Sequence, residues 1–373
     1  MPLSPMDEYL AHQTPETFDH VYTSDRNFYD RHYFNLHASS DELFLVTGMG
    51  QYPNLGVIDA FVSISHGDGV HSVVRASREL GSDRLDTTVG PFGIEVIEGL
   101  KTLRLTLDEN EWGVGFDLTF QGAVPALEEP RQTTRQFNRV TMDVSRFAQI
   151  GCYTGTLSVA GKTYEVTPDR WKGVRDRSWG VRPVGEREPA GIGVKAERSA
   201  GFLHNWLPMQ FDDCMFKVFY EEDADGDRFV EESVKVYNFG IDKENEPMGA
   251  PRPEITYVPG TREIQSALIR FEHPSGRELS VQTTPLRTVY LAAGTGYVPQ
   301  PDWAHGMYQG ELKVEGLSFD LADPANRSQY GLLKETLSRF ELSTGEVGYG
   351  MHENICLGVY RPHGFETGDA VAP

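Results

Sequence analysis

Trp112-Gly113-Val114-Gly115-Phe116-Asp117-Leu118-Thr119-Phe120 decides the fold class. Trp112, Val114, Phe116, Leu118 and Phe120 fall on one face, with Gly113, Gly115, Asp117 and Thr119 on the other. Such alternation marks a half-buried strand, because successive side chains of an extended backbone point to opposite faces. Similar runs occupy residues 43–49, 57–65, 70–78, 94–98, 101–107, 155–160 and 162–166. They recur at 215–220, 229–237, 263–272, 278–290, 310–319 and 353–360. Turn residues separate them about every ten positions, the spacing of antiparallel sandwiches or barrels. The chain is predicted to be all-β.

Helix is scarce. Asp323-Pro324 followed by Tyr330, Leu332, Leu333, Leu337 and Phe340 predicts one, with an aspartate cap and a proline in the first turn. Residues 7–23 show no periodic pattern and read as a segment lying across the surface or over a pocket mouth. Pro183–Arg198, rich in proline, glycine and charge, is the expected boundary between two β-rich halves, 1–185 and 186–373.

Charge bounds the partners. The 373 residues carry 34 Lys+Arg against 55 Asp+Glu, a net charge of −21. Such a surface repels phosphate backbones and anionic headgroups, so neither nucleic acid nor membrane insertion is expected. No apolar run approaches the ~20 residues that span a bilayer. Met1–Glu8 lacks the basic and apolar regions of a signal peptide. Three cysteines without a C-x-x-C, Cys152, Cys214 and Cys356, fit a reducing cytoplasm better than a disulfide framework or zinc site.

Several runs imitate known motifs. Glu221-x-Asp223-x-Asp225-Gly226-x5-Glu232 nearly spells a calcium loop, but strand-like flanks make it an acidic hairpin turn. Gly155 stands one residue too far from Gly161-Lys162-Thr163 for a P-loop, and the run precedes a strand. Cys356 occupies the position of the second histidine of a zincin motif after His352-Glu353. No metal and no cofactor are expected.

Four clusters remain. The densest is Trp171-Lys172-Gly173-Val174-Arg175-Asp176-Arg177-Ser178-Trp179-Gly180-Val181-Arg182. The others are Gln51-Tyr52-Pro53-Asn54-Leu55-Gly56, Phe202–Gln210 with His204, Asn205 and Trp206, and Gly348–Asn354 with His352. Polar groups inside apolar strands require partners, so each cluster alone reads as a structural network. Together they supply an acid, a base and aromatic faces able to shelter a cation.

Trp171–Gly180, with its Asp176-Arg177-Ser178-Trp179-Gly180 core, resembles the Asp-Arg-x-Trp-Gly segment of the hydroxyneurosporene synthase (carotenoid 1,2-hydratase) and AttH-like superfamily. Gly348–Asn354 and Gln51–Asp59 resemble related bacterial families of uncharacterised proteins. The resemblance implies two packed lipocalin-like barrels or sandwiches with a ligand cleft near their junction. It also implies cofactor-independent work on hydrophobic molecules, namely hydration of isoprenoid double bonds or of prenylated phenolics and pericyclic ring closure, to which the leading hypothesis adds dehydration and isomerisation. Carried over, Asp176 is the proton donor or orienting carboxylate, Arg175 and Arg177 set its charge state, and Trp179 walls the cleft. His204 and Tyr52 join it as catalytic candidates. Trp206, Trp171, Asn54 and His352 join the arginines and Trp179 as substrate-binding candidates.

The leading expectation is a cytoplasmic, acid–base enzyme for a terpenoid, steroid or prenylated aromatic, with homodimer formation left open. Two arginines beside Asp176 in sequence would lower its pKa, whereas an apolar pocket would raise it. Both roles, electrostatic and proton-donating, therefore stay open, with His204 or Tyr52 moving the proton in the first. The competing expectations are a lipophile carrier without catalysis and an interdomain clamp built from Arg175-Asp176-Arg177.

Overall fold

A computed structural model describes residues 3–67, 69–184, 191–192 and 201–373. The fold is all-β: strand makes up 57% and helix 5%, in a nearly closed barrel and a half-barrel. Every alternating run above falls within one or two residues of a strand's bounds, and Trp112–Phe120 supplies most of Val114–Gly122.

The first sheet has 14 strands. Its path begins Leu312–Asp320, Val70–Glu79, Val57–His66, Leu43–Tyr52, Phe28–His37 and Lys172–Val181. It continues through Arg139–Val159, Val114–Gly122, Thr102–Leu107, Phe92–Glu98 and Thr88–Val89. The sheet coils until its ends meet, with Gly90 beside Val314 and Ala76. Twist and tilt close a long antiparallel sheet this way and remove its exposed edges. Phe34, Leu45, Ile58, Val62, Leu105 and Phe116 are among the residues of its interior core. The second sheet has 9 strands, with Cys214–Asp223, Gly201–Gln210, Val347–Gly358 and Lys334–Leu342 adjacent in that order.

The two sheets pack face to face. Tyr33, Phe44, Val46, Phe61, Ile150 and Val174 of the first share one core with Trp206, Met215, Phe219, Leu337 and Met351 of the second. Of the stretch read as a boundary, only residues 183–184 and 191–192 are among those described. Leu312–Asp320, late in the chain, pairs with Val70–Glu79 of the first sheet.

Two expectations need correction. The predicted helix ends early: Pro324–Tyr330 is helical and capped by Asp323, which accepts from the Ala325 N–H at 2.9 Å, but Lys334–Leu342 is a strand. Leu337 and Phe340 are buried through pairing and packing in the second sheet, which overrides the local helical spacing. Phe28–His37 and residues 139–154 of the strand Arg139–Val159 escaped the periodic reading because neither sustains an alternation of apolar and polar residues.

Candidate active site between the two sheets

Lys172–Val181 lies in the first sheet between Phe28–His37 and Arg139–Val159. Its alternation divides the Arg/Trp-rich cluster. Asp176 and Ser178 face the second sheet and line a cavity of about 300 Å³, whereas Arg175, Arg177 and Trp179 line a separate cavity inside the barrel. Asp176 sits directly between Tyr33 and Ala148 on its neighbours. Gly180 ends the motif because its backbone has φ +128°, and a Cβ there would lie 2.0 Å from the Asp143 carbonyl oxygen.

The opposite wall comes from the second sheet. His204 stands opposite Glu221, Trp206 opposite Glu353, and Glu353 opposite Glu335. His204 Nδ1 is 2.9 Å from Glu221 and its Nε2 3.4 Å from Glu353. Burial opposes its charge, but hydrogen bonds to both carboxylates outweigh that and raise its pKa to about 9. That balance favours the charged imidazolium over the neutral ring near neutral pH. Trp206 Nε1 donates to Glu129 at 2.7 Å. Glu129 also pairs at 2.9 Å with Lys217, which is fully buried. Burial pushes Glu129 up, yet Lys217 and Arg146 together hold it below the ordinary carboxylate range.

Asp176 has the reverse balance. Among the described residues no hydrogen bond reaches its carboxyl, and its residual exposed surface lines the cavity. Burial, then the charge of Glu129, raises its pKa to about 6 against the opposing pull of Arg146 and Arg182. Glu335 is pushed well above its usual range by burial and by Glu353 beside it. The Tyr33 hydroxyl donates to Glu335 and in turn accepts from Asn35 at 3.2 Å. Tyr297, Tyr29, Phe202 and Met351 complete much of the remaining wall. The cavity can therefore present a neutral carboxylic acid to an apolar guest, with carboxylates and aromatic faces around it.

Residues 3–366 match the model of a family of unknown function, DUF8625. The chain belongs to that family. It has no sequence match among curated proteins. The structure of this DUF8625 member is similar to that of an AttH-like protein of Nitrosomonas europaea, with TM-score 0.52 and 12% identity over 95% of this chain and 99% of that one. It is also similar to kievitone hydratase of Nectria haematococca (TM-score 0.49, 11% identity, 87% and 88% covered). CghA bound to Sch210972 is a further likeness (TM-score 0.45, 12% identity, 93% and 90% covered). The AttH-like match shows the lipocalin-like two-part fold. No helix among the described residues of this DUF8625 chain is long and apolar enough to cross a membrane.

The expected site residues disperse. Asp176, His204 and Trp206 meet in the intersheet cavity. Tyr52 is fully buried away from it, donating to Asp59 at 3.3 Å. Trp171 is packed in the barrel core against Tyr164. Asn54 donates at 2.8 Å to the Thr23 and Asp25 carbonyls and tethers the N-terminal segment. His352 faces away from the cavity, 3.3 Å from Asn205. Arg175 meets Gln149 and Arg177 meets Asp30, both within the first sheet, so these contacts of the two arginines do not bridge the sheets.

Tyr33, Glu335, Glu353, Arg146 and Glu129 are the residues the sequence reading missed. Glu353 lay inside a quoted cluster, where alternation from His352 to Glu353 puts only one of the two on each face. Glu221 was legible only as part of an acidic turn. It closes a strand instead and clamps His204, while the hairpin itself turns at Asp223–Asp227 as expected.

Proposed function

We propose that this protein is a cofactor-independent enzyme that uses acid–base chemistry on a hydrophobic small molecule, a terpenoid, steroid or prenylated aromatic, bound between the sheets. The observation that carries the reading is Asp176: a cavity-facing carboxyl without a hydrogen-bond partner among the described residues, with pKa raised to about 6. Raised carboxyls in clefts are the usual means of keeping a protein acid protonated near neutrality.

In the proposed step the π pair of a guest alkene takes the Asp176 proton, forming a C–H bond and leaving Asp176 as carboxylate. The cation that remains is stabilised by that carboxylate, by Glu353 and by the faces of Tyr297 and Trp206. Water attack, with the surplus proton returned to a carboxylate, completes hydration. Proton loss from a neighbouring carbon gives an isomer, and attack by a second alkene of the same guest gives a ring. His204 holds Glu221 and Glu353 in place as a fixed cation and does not itself transfer the proton.

The test incubates a panel of terpenes, steroids and prenylated phenols in oxygen-18 water with wild type and with Asp176→Asn. A labelled adduct from wild type alone supports hydration, and an unlabelled isomer from wild type alone supports isomerisation or cyclisation. Turnover that survives unchanged in Asp176→Asn removes the aspartate from the mechanism. Ligands retained by both proteins without conversion replace the enzyme with a carrier. Because the acid must be protonated, the rate should fall as pH rises through about 6.

A further inference from the structure

The larger cavity of this protein is the other one. About 1080 Å³ opens inside the barrel of the first sheet, roofed by the N-terminal segment through Met6, His12, Phe18 and Tyr22. The roof is tied down: Asp7 accepts from the backbone N–H groups of Ser4 at 2.7 Å and Phe18 at 2.9 Å, and Asn54 holds the following residues. Most of the wall is apolar, with Met49, Ile94, Leu103 and Phe147 among its residues. The floor comes from the same two strands that supply Tyr33 and Asp176 to the other side, here through Asp30, His32, Arg175 and Arg177.

That floor carries an excess of positive charge. Asp30 answers Arg177 and, at 3.3 Å, Arg84. The other carboxylates on the wall, Glu16, Asp86 and Glu95, are exposed at the rim, and Asp86 pairs with Arg78 at 2.9 Å. Arg175 has no carboxylate partner among the described residues. It is 2% exposed, its Nε donates to Gln149 at 2.7 Å, and its Cζ lies 5.0 Å from the centre of the Phe147 ring. Its Nη2 is buried with no hydrogen-bond partner among the described residues, as is Nδ1 of His32, whose strand position is opposite Arg177. Burial lowers Arg175 to about 10, still charged at neutral pH. A buried guanidinium with an idle N–H is costly unless an anion arrives to meet it.

We propose that this cavity is a second ligand site, separate from the acid-lined one, for an amphiphilic carboxylate. Its carboxylate accepts from Arg175 Nη2 and the neighbouring His32, and its hydrocarbon body fills the apolar space beneath the N-terminal segment. Phosphate esters fit less well, because Asp30 already neutralises much of the remaining cation charge and a dianion would face it. The inference does not depend on the chemistry proposed for Asp176.

Titration calorimetry with dodecanoate and dodecanol, which share a chain and differ in the head group, tests it on the full chain. Dodecanoate should bind roughly tenfold or more tightly than dodecanol, the worth of a charge-assisted hydrogen bond. Arg175→Met should reduce dodecanoate to the alcohol's level, while Asp176→Asn should leave it unchanged. Equal affinity for acid and alcohol, no binding of either, or loss in Asp176→Asn with retention in Arg175→Met each overturns the assignment. Should Arg175→Met not fold, carboxyl-labelled dodecanoate bound to wild type carries the test. Its carbon-13 signal should stay in the ionised position to lower pH than that of the free acid, and titration at or above the free acid's midpoint overturns the assignment.

Discussion

At the scale of the residue, Asp176 and its sequence neighbours have separate lives. The arginines on either side contribute nothing among the largest influences on its charge, which are burial, Glu129, Arg146, Arg182 and Glu353. The consequence for stability has a definite sign. A carboxyl raised to about 6 binds its proton more tightly folded than unfolded, so its contribution is fully present below about 3.8 and lost as pH rises through about 6. Asp176→Asn should therefore be more stable than wild type at pH 8, by on the order of 2 kcal/mol at 1.36 kcal/mol per pKa unit with allowance for partial access. The gain should vanish toward pH 4, as followed by urea unfolding at both values. A clamp role would give a loss. His204 runs on a different window: raised to about 9, its contribution is complete below about 6.5 and lost as pH rises through about 9. His204→Gln leaves Glu221 and Glu353 without their shared cation and should cost on the order of 3 kcal/mol at pH 7, with the deficit shrinking above pH 9.

At the scale of the element, covered faces did not by themselves hide a strand: Leu43–Tyr52 and Val57–His66, buried on both faces, were read from their apolar and β-branched residues, but the equally covered Phe28–His37 was not. Val114–Gly122 announces itself by alternation, whereas Phe28–His37 reads as an aperiodic mixture. Yet that aperiodic strand delivers Tyr33 to one cavity and His32 to the other. The strand Leu312–Asp320 shows how a readable element can have an unreadable partner. Its pattern foretold extended structure, but its docking on Val70–Glu79 depends on Arg75, whose Nε and Nη2 meet Glu315 at 3.0 and 2.7 Å. The guanidinium also lies 4.2 Å from the Trp303 ring centre. Gly316 on that strand accommodates Trp112, since a Cβ there would stand 2.0 Å from the indole. Gly316→Val should displace Trp112 and loosen the strand, lowering stability by about 2 kcal/mol, within the usual cost of overpacking. Limited proteolysis should then cut near residue 312 faster than in wild type, and unchanged cleavage would show that the indole simply swings away.

At the scale of the whole molecule, the two sheets share a core and the C-terminal part of the chain adds Leu312–Asp320 to the first sheet, so the sheets should unfold together. Calorimetry of the full chain should give one transition with equal calorimetric and van't Hoff enthalpies. Two resolved transitions would mean that the halves are independent units, as the division at residue 185 anticipated. By itself the sequence determined the all-β class, most strands, the acidic surface and the Asp-Arg-x-Trp-Gly segment, because alternation, turn residues and charge act over a few neighbouring positions. It also offered Asp176, His204 and Trp206. Only the tertiary structure decided that Arg175 and Arg177 belong to a different cavity from Asp176. It alone brought Glu335, Glu353 and Tyr33 to the Asp176 cavity from strands far apart in the chain, and set the charge of Glu129 within reach of Asp176. Which face of a strand looks into which space, and whether a carboxylate meets a cation there, depends on how two curved sheets dock. That docking is settled by the summed burial of many distant side chains and by no local run of residues.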